Sequence, residues 1–77
     1  MSDDERRILE FEEANPRDDR QKEAAIRTGF AMSWVRYRQL LLRLVQREDV
    51  LAEHALVAHR VRRATAAGVA RRAARHF

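Results

Sequence analysis

A chain of 77 residues with 45% hydrophobic content supports one small domain and a modest core, too small to enclose a large active site. It has no cysteine, so neither a disulfide framework nor a thiolate metal site supplements that core, and no apolar run approaches the roughly 18 residues of a membrane span. The net charge of +4 conceals a gradient: residues 1–23 sum to −4, residues 24–59 to +2 and residues 60–77 to +6.

A chain graded from acid to base, with a pI near 10.9, fits a polyanion partner along its C-terminal two thirds. Every base except Lys22 is an arginine, and arginine forks onto guanine and phosphate better than lysine does. Codon usage in a GC-rich genome accounts for the same bias, and both origins stay open. The N-terminus, Met-Ser-Asp-Asp-Glu, is acidic where a secretory signal is basic and then apolar. The expected location is the cytoplasm, associated with the nucleoid.

Ser2 and Glu5 have capping-box spacing, and Asp3 and Asp4 suit the positive end of a helix. A first helix over about residues 3–14 follows, with Ile8, Leu9 and Phe11 on its apolar side. Asn15-Pro16 breaks it, because the residue before proline avoids helical backbone. The same pair is placed to start a second helix, Asn15 as N-cap and Pro16 in the first turn. That helix is expected to end near Thr28-Gly29.

A third helix is expected from Ser33 to about Gln46. Tyr37, Leu40, Leu41 and Leu44 sit on one buried stripe, while Arg36, Arg38, Gln39 and Arg43 lie off it. Leu42 and Val45, apolar yet off the stripe, are candidates for a dimer interface. Arg47-Glu48-Asp49 is a polar break, followed by the short apolar piece Val50-Leu51-Ala52. A final alanine- and arginine-rich helix is expected from about Ala55, weakened at Gly68. No alternating, strand-like pattern occurs. The fold class read here is all-α: a helix-turn-helix three-helix core over residues 2–53, then a basic C-terminal helix or arm over residues 54–77.

The helix-turn-helix reading rests on residues 23–44, where a short amphipathic helix meets a small-residue turn and a second, serine-capped helix. Two registers compete. Gly29 in the turn leaves Thr28 and Arg38 at apolar sites; Ala31 in the turn puts Ile26, Phe30, Met32, Tyr37 and Leu40 at all five. Burial favours the second, since misplaced polar groups are costly. Its weak point is Ala31, because glycine adopts positive φ freely and alanine does not. Arg27 also stands where the motif usually has alanine.

The stretches Ile8-Leu9-Glu10-Phe11-Glu12, Glu23-Ala24-Ala25-Ile26-Arg27, Phe30-Ala31-Met32-Ser33 and Arg36-Tyr37-Arg38-Gln39-Leu40-Leu41 resemble an actinobacterial family, domain of unknown function 3263. Its members and their phage relatives are similar to helix-turn-helix DNA-binding proteins. The resemblance runs over about residues 5–63 and implies a binding mode, with an actinobacterium or its phage as the source. Ala31 stands where that family tends to glycine, and Trp34 where it tends to a small residue.

In a recognition helix the first turn, and the next turn on the same side, face base edges. Here those residues are Ser33, Trp34, Val35, Arg38 and Gln39. Arg38 suits guanine, Gln39 adenine, and Val35 a thymine methyl. Arg36 and Arg43 are expected on flanking phosphates. A solvated helix face is the plainer reading of these arginines, and packing the plainer reading of Trp34. Arg60, Arg62, Arg63, Arg71, Arg72 and Arg75 spread around the last helix, as suits an arm along a phosphate backbone. The same helix read as a membrane-surface element lacks aromatic anchors other than Phe77. As an oligomerisation helix it has a narrow seam of Val57, Val61, Ala64 and Gly68.

His54 and His59 stand five apart, on different sides of a helix and with no cysteine nearby, so no metal site is expected. The acids read as charged faces of the N-terminal helices. Ser33 reads as a cap, and the two glycines make no phosphate loop, so no enzyme activity, cofactor or small-molecule ligand is expected. The functional expectation is a small double-stranded-DNA-binding protein, a transcriptional regulator working as a homodimer or beside a partner. Two rivals stand beside it: an interaction module for RNA polymerase or a sigma factor, and a sequence-tolerant architectural DNA-binding protein.

Overall fold

The computed structural model describes the backbone of residues 1–74 and the side chains of residues 1–68. Over these residues the chain is all-α, with α1 over Asp3–Ala14, α2 over Arg20–Phe30, α3 over Trp34–Leu44, α4 over Glu48–Glu53 and α5 over Ala55–Ala74. No strand occurs among the described residues.

The capping box forms at the start of α1: Ser2 Oγ accepts from the Glu5 amide, and the Glu5 carboxylate accepts from the Ser2 amide at 2.9 Å. Asn15-Pro16, however, does not start α2. Asn15 turns back instead, its side-chain amide donating to the Phe11 carbonyl at 3.0 Å, and residues 15–19 form an irregular connector. Asp19 caps α2, accepting from the Lys22 amide at 2.8 Å. An aspartate carboxylate aimed at the free amides of a first turn is the stronger nucleus here.

Between α2 and α3, Ala31 takes the left-handed conformation, φ 53 and ψ 40. Gly29 remains helical with negative φ, so the turn adopts the register that burial favoured. Ser33 then caps α3, accepting from the Arg36 amide at 3.2 Å. The α3 helix stops at Leu44, two residues before the expected end. Gln46 and Arg47 bond to the carbonyls of Arg43 and Leu44 in a tightened last turn.

Val45, one turn after buried Leu41 and bonded through its amide to the Leu41 carbonyl, lies fully in the core, and Leu42 packs half-buried against it. Neither is the free interface residue that its place off the stripe suggested. The core joins Ile8 and Leu9 of α1, Ile26 of α2, Tyr37, Leu41 and Leu44 of α3, Val50 of α4, and Val57, Ala58 and Val61 of α5. The first two turns of α5 therefore pack within the core, on α1 and α4. Val57 and Val61 serve this intramolecular packing, which removes half of the small-residue seam read as an oligomerisation stripe.

A buried polar cluster ties these helices together. Glu12 and Lys22 are each only 3% exposed. The Glu12 carboxylate accepts from the Tyr37 hydroxyl at 2.7 Å and from the Lys22 ammonium at 3.0 Å. Lys22 also reaches Asp18 at 2.8 Å and lies 5.7 Å from the Trp34 ring centre. Glu12 is thus no part of a solvated acidic face. It falls four residues after Ile8, on the buried stripe, and its charge is compensated from α2 and α3.

Candidate nucleic-acid interface

Two interactions at the N-terminus of α3 set which side turns outward. Ser33 spends its hydroxyl on the cap, and Tyr37 is drawn inward by Glu12. At 100° per residue, Val35, Gln39, Arg43 and Arg36 then share an arc of about 100° on the side away from Tyr37 and Leu44. All four are exposed, Val35 by 63%.

Arg38 lies on the opposite flank of that arc and is half-buried. Trp34 is half-buried too, its ring 6.3 Å from that of Tyr37 and beneath the Lys22 ammonium. The residues expected at base edges therefore divide. Val35 and Gln39 project outward, Ser33 is exposed but engaged as a cap, and Trp34 and Arg38 sit to the side.

Charge pairing separates the surfaces further. Arg6 pairs with Glu53, Arg7 with Asp4, Arg27 with Glu23, and Arg47 with both Glu5 and Asp49. Arg36, Arg38 and Arg43 make no ion pair and no side-chain hydrogen bond among the described residues. The α3 helix carries no acid at all, so its positive charge has no local counterweight.

The C-terminal arginines also divide. Arg60 is half-buried and donates to the main-chain carbonyl of Glu12 at 2.7 Å, which makes it a strut between α5 and α1. Arg62 and Arg63 are exposed and unpaired among the described residues. The side chains of Arg71 and Arg72, and all of Arg75, lie outside the described residues. His54 caps the C-terminus of α4, its amide donating to the Val50 carbonyl at 2.7 Å, and its Nε2 is buried without a partner among the described residues. His59 is exposed on α5.

The family model described as "Protein of unknown function (DUF3263)" matches residues 1–76. The chain belongs to this family. The match extends beyond the stretches that carried the resemblance and takes in the basic end of α5. No curated protein and no solved structure matches the chain.

Reading the sequence alone missed the polar cluster beneath this family member's α3. Two signals pointed to it: Glu12 and Lys22 both fall at helical spacing from buried isoleucines, Ile8 and Ile26. Lys22 is also the only lysine, at a position where one ammonium serves two carboxylates and an aromatic face. No helix among the described residues is long and apolar enough to cross a membrane.

Proposed function

We propose that the protein binds double-stranded DNA as a small helix-turn-helix protein acting in transcriptional control, in an actinobacterium or its phage and at the nucleoid. The observation that carries this reading is the outward arc of α3, exposed and acid-free, with Arg36 and Arg43 unpaired. In this reading Val35 and Gln39 meet base edges, Gln39 pairing with adenine and Val35 touching a thymine methyl. Arg36 and Arg43 hold flanking phosphates and set the register. Arg38, from its flank, meets either a base edge or the backbone. Ser33 and Trp34 support the entry of the helix more than they read sequence.

Arg62 and Arg63 add phosphate contacts from α5, continued by Arg71, Arg72 and Arg75, which deepens the salt dependence. One such unit reads few base pairs, so a second copy or a partner on adjacent DNA supplies the remaining specificity. With Val45 inside the core, that association uses another face.

Selection of bound duplexes from a random pool, repeated at rising salt, tests the proposal. A regulator retains a preferred sequence as salt rises. Steep and uniform loss of all affinity identifies an architectural DNA-binding protein instead. Negligible duplex affinity at any salt refutes the reading and favours an RNA polymerase or sigma-factor module, for which the exposed acids Asp3, Glu10 and Glu13 of α1 are the available surface.

A further inference from the structure

A groove of about 680 Å³ runs between α1, the turn after α2 and the second half of α3. Its floor is apolar. Phe30, Met32 and Leu40 line it and are only half-buried, so each leaves hydrocarbon or ring surface facing the groove beside Ile8 and Leu44. Its volume lies in the range of small-molecule sites, about 300–1,000 Å³.

The rim decides what such a molecule carries. Asp4, Glu5, Arg7, Arg43 and Arg47 border the groove. Four of these are matched: Arg7 with Asp4 at 3.7 Å, and Arg47 with Glu5 at 2.6 Å. Arg7 also lies 5.3 Å from the Phe30 ring centre, which holds it along the wall. Only Arg43 has no counter-ion among the described residues. The groove therefore offers an apolar bed with a single uncompensated cation at its edge.

We propose that this groove binds a free amphipathic carboxylic acid, its apolar body on Phe30, Met32 and Leu40 and its carboxylate on Arg43. The planar guanidinium matches a carboxylate with two parallel hydrogen bonds, and the apolar floor removes the ligand's hydrocarbon from water. A neutral analogue of the same length keeps the second gain and loses the first. Arg43 also belongs to the outward arc of α3, so the acid draws a phosphate-binding group away from DNA. This second consequence rests on the DNA-binding reading, whereas occupation of the groove does not. Acid and duplex then oppose each other reciprocally.

Titration of the full chain with octanoate, octanol and octylamine, without DNA, tests the site by calorimetry and by the methyl resonances of Met32 and Leu40. Octanoate is expected to bind one to one and about two- to fivefold tighter than octanol, as one solvent-exposed ion pair warrants. Arg43→Gln is expected to bring octanoate down to the octanol level and leave octanol unchanged, while Arg17→Gln on the remote connector changes neither. Equal affinity for the three compounds, no saturable binding, or full octanoate affinity in Arg43→Gln overturns the proposal. So does a dimer that octanoate dissociates, because a second copy is then the occupant. Octanoate binding in a protein that shows no duplex affinity upholds the groove and refutes the DNA-binding reading alone.

Discussion

The Tyr37 hydroxyl donates to the Glu12 carboxylate at 2.7 Å inside the fold, so the inner side of α3 is fixed to α1 by a polar bond as well as by packing. Lys22 completes the arrangement from α2, at 3.0 Å from the same carboxylate. A buried carboxylate tolerates this environment only while its donors remain. The cluster thereby sets which side of α3 faces outward.

Removing one partner is therefore expected to cost more than removing the pair. Lys22→Met leaves a buried charge without its cation and should lose about 3–5 kcal/mol. Tyr37→Phe, which keeps the ring, should lose about 1–3 kcal/mol. Adding Glu12→Leu to Lys22→Met should recover part of the loss, because no uncompensated charge then stays inside. Urea unfolding of the three variants checks this, and a double variant no more stable than Lys22→Met alone would contradict the coupling.

The extent to which this fold was legible follows from which interactions are local. Capping boxes, serine caps and apolar stripes act within one turn, so α1, α3, the start of α5 and the turn at Ala31 could be read from residue types alone. The start of α2 depended on which of two adjacent local signals prevails, and the Asp19 cap prevailed over Asn15-Pro16. The Glu12–Lys22–Tyr37 cluster joins three helices, and no single helical stretch reveals it. Arg60 is a similar case: in sequence it belongs to a row of six arginines, yet a carbonyl of α1 claims it. The groove behind Arg43 likewise arises only when α1 and α3 are brought together.

Backbone strain at the turn gives a second prediction. Ala31 sits at φ 53, where a β-carbon costs about 1–2 kcal/mol. Glycine removes that cost and returns about 0.4–1 kcal/mol through the greater freedom of the unfolded chain. Ala31→Gly should therefore stabilise the protein by about 0.5–1 kcal/mol, a rise of several degrees in Tm at roughly 4–8 °C per kcal/mol. Ala31→Val should lower Tm. A fall for glycine would rule out left-handed backbone at this turn.

Stability should decline at both ends of the pH range, through different groups. The Ser2 amide, with Arg47 assisting, holds the Glu5 carboxyl below its ordinary value of 4.5, and Arg47 holds Asp49 below 3.8. A depressed carboxyl stabilises the fold above its unfolded pKa and loses that contribution as pH falls through the folded one. Arg47→Ala should accordingly flatten the acid limb below about pH 4.5. Burial and the Glu12 hydrogen bond push the Tyr37 hydroxyl well above 10. Its contribution is complete below pH 10 and declines above it, as the unfolded phenol begins to ionise. Tyr37→Phe should flatten that alkaline limb. Thermal unfolding across pH checks both, and unchanged limbs in the variants would remove these groups as the cause.

Arginines that look alike in sequence should behave differently on DNA. Arg62 and Arg63 are exposed and unpaired among the described residues, so deleting either guanidinium should reduce the slope of log affinity against log salt by about 0.9. Arg62→Ala with Arg63→Ala should thus flatten the slope by about 1.8 and leave Tm nearly unchanged. Arg60→Ala should do the reverse. Its guanidinium holds the Glu12 carbonyl at 2.7 Å, and losing a charged hydrogen bond of this kind costs about 1.5–3 kcal/mol of stability. Its salt slope should stay at the wild-type value. Binding of one duplex measured at several salt concentrations, beside thermal unfolding of the same samples, separates the two roles. If all three arginines shift the slope equally with no change in Tm, α5 is a uniform polycation and Arg60 is no strut.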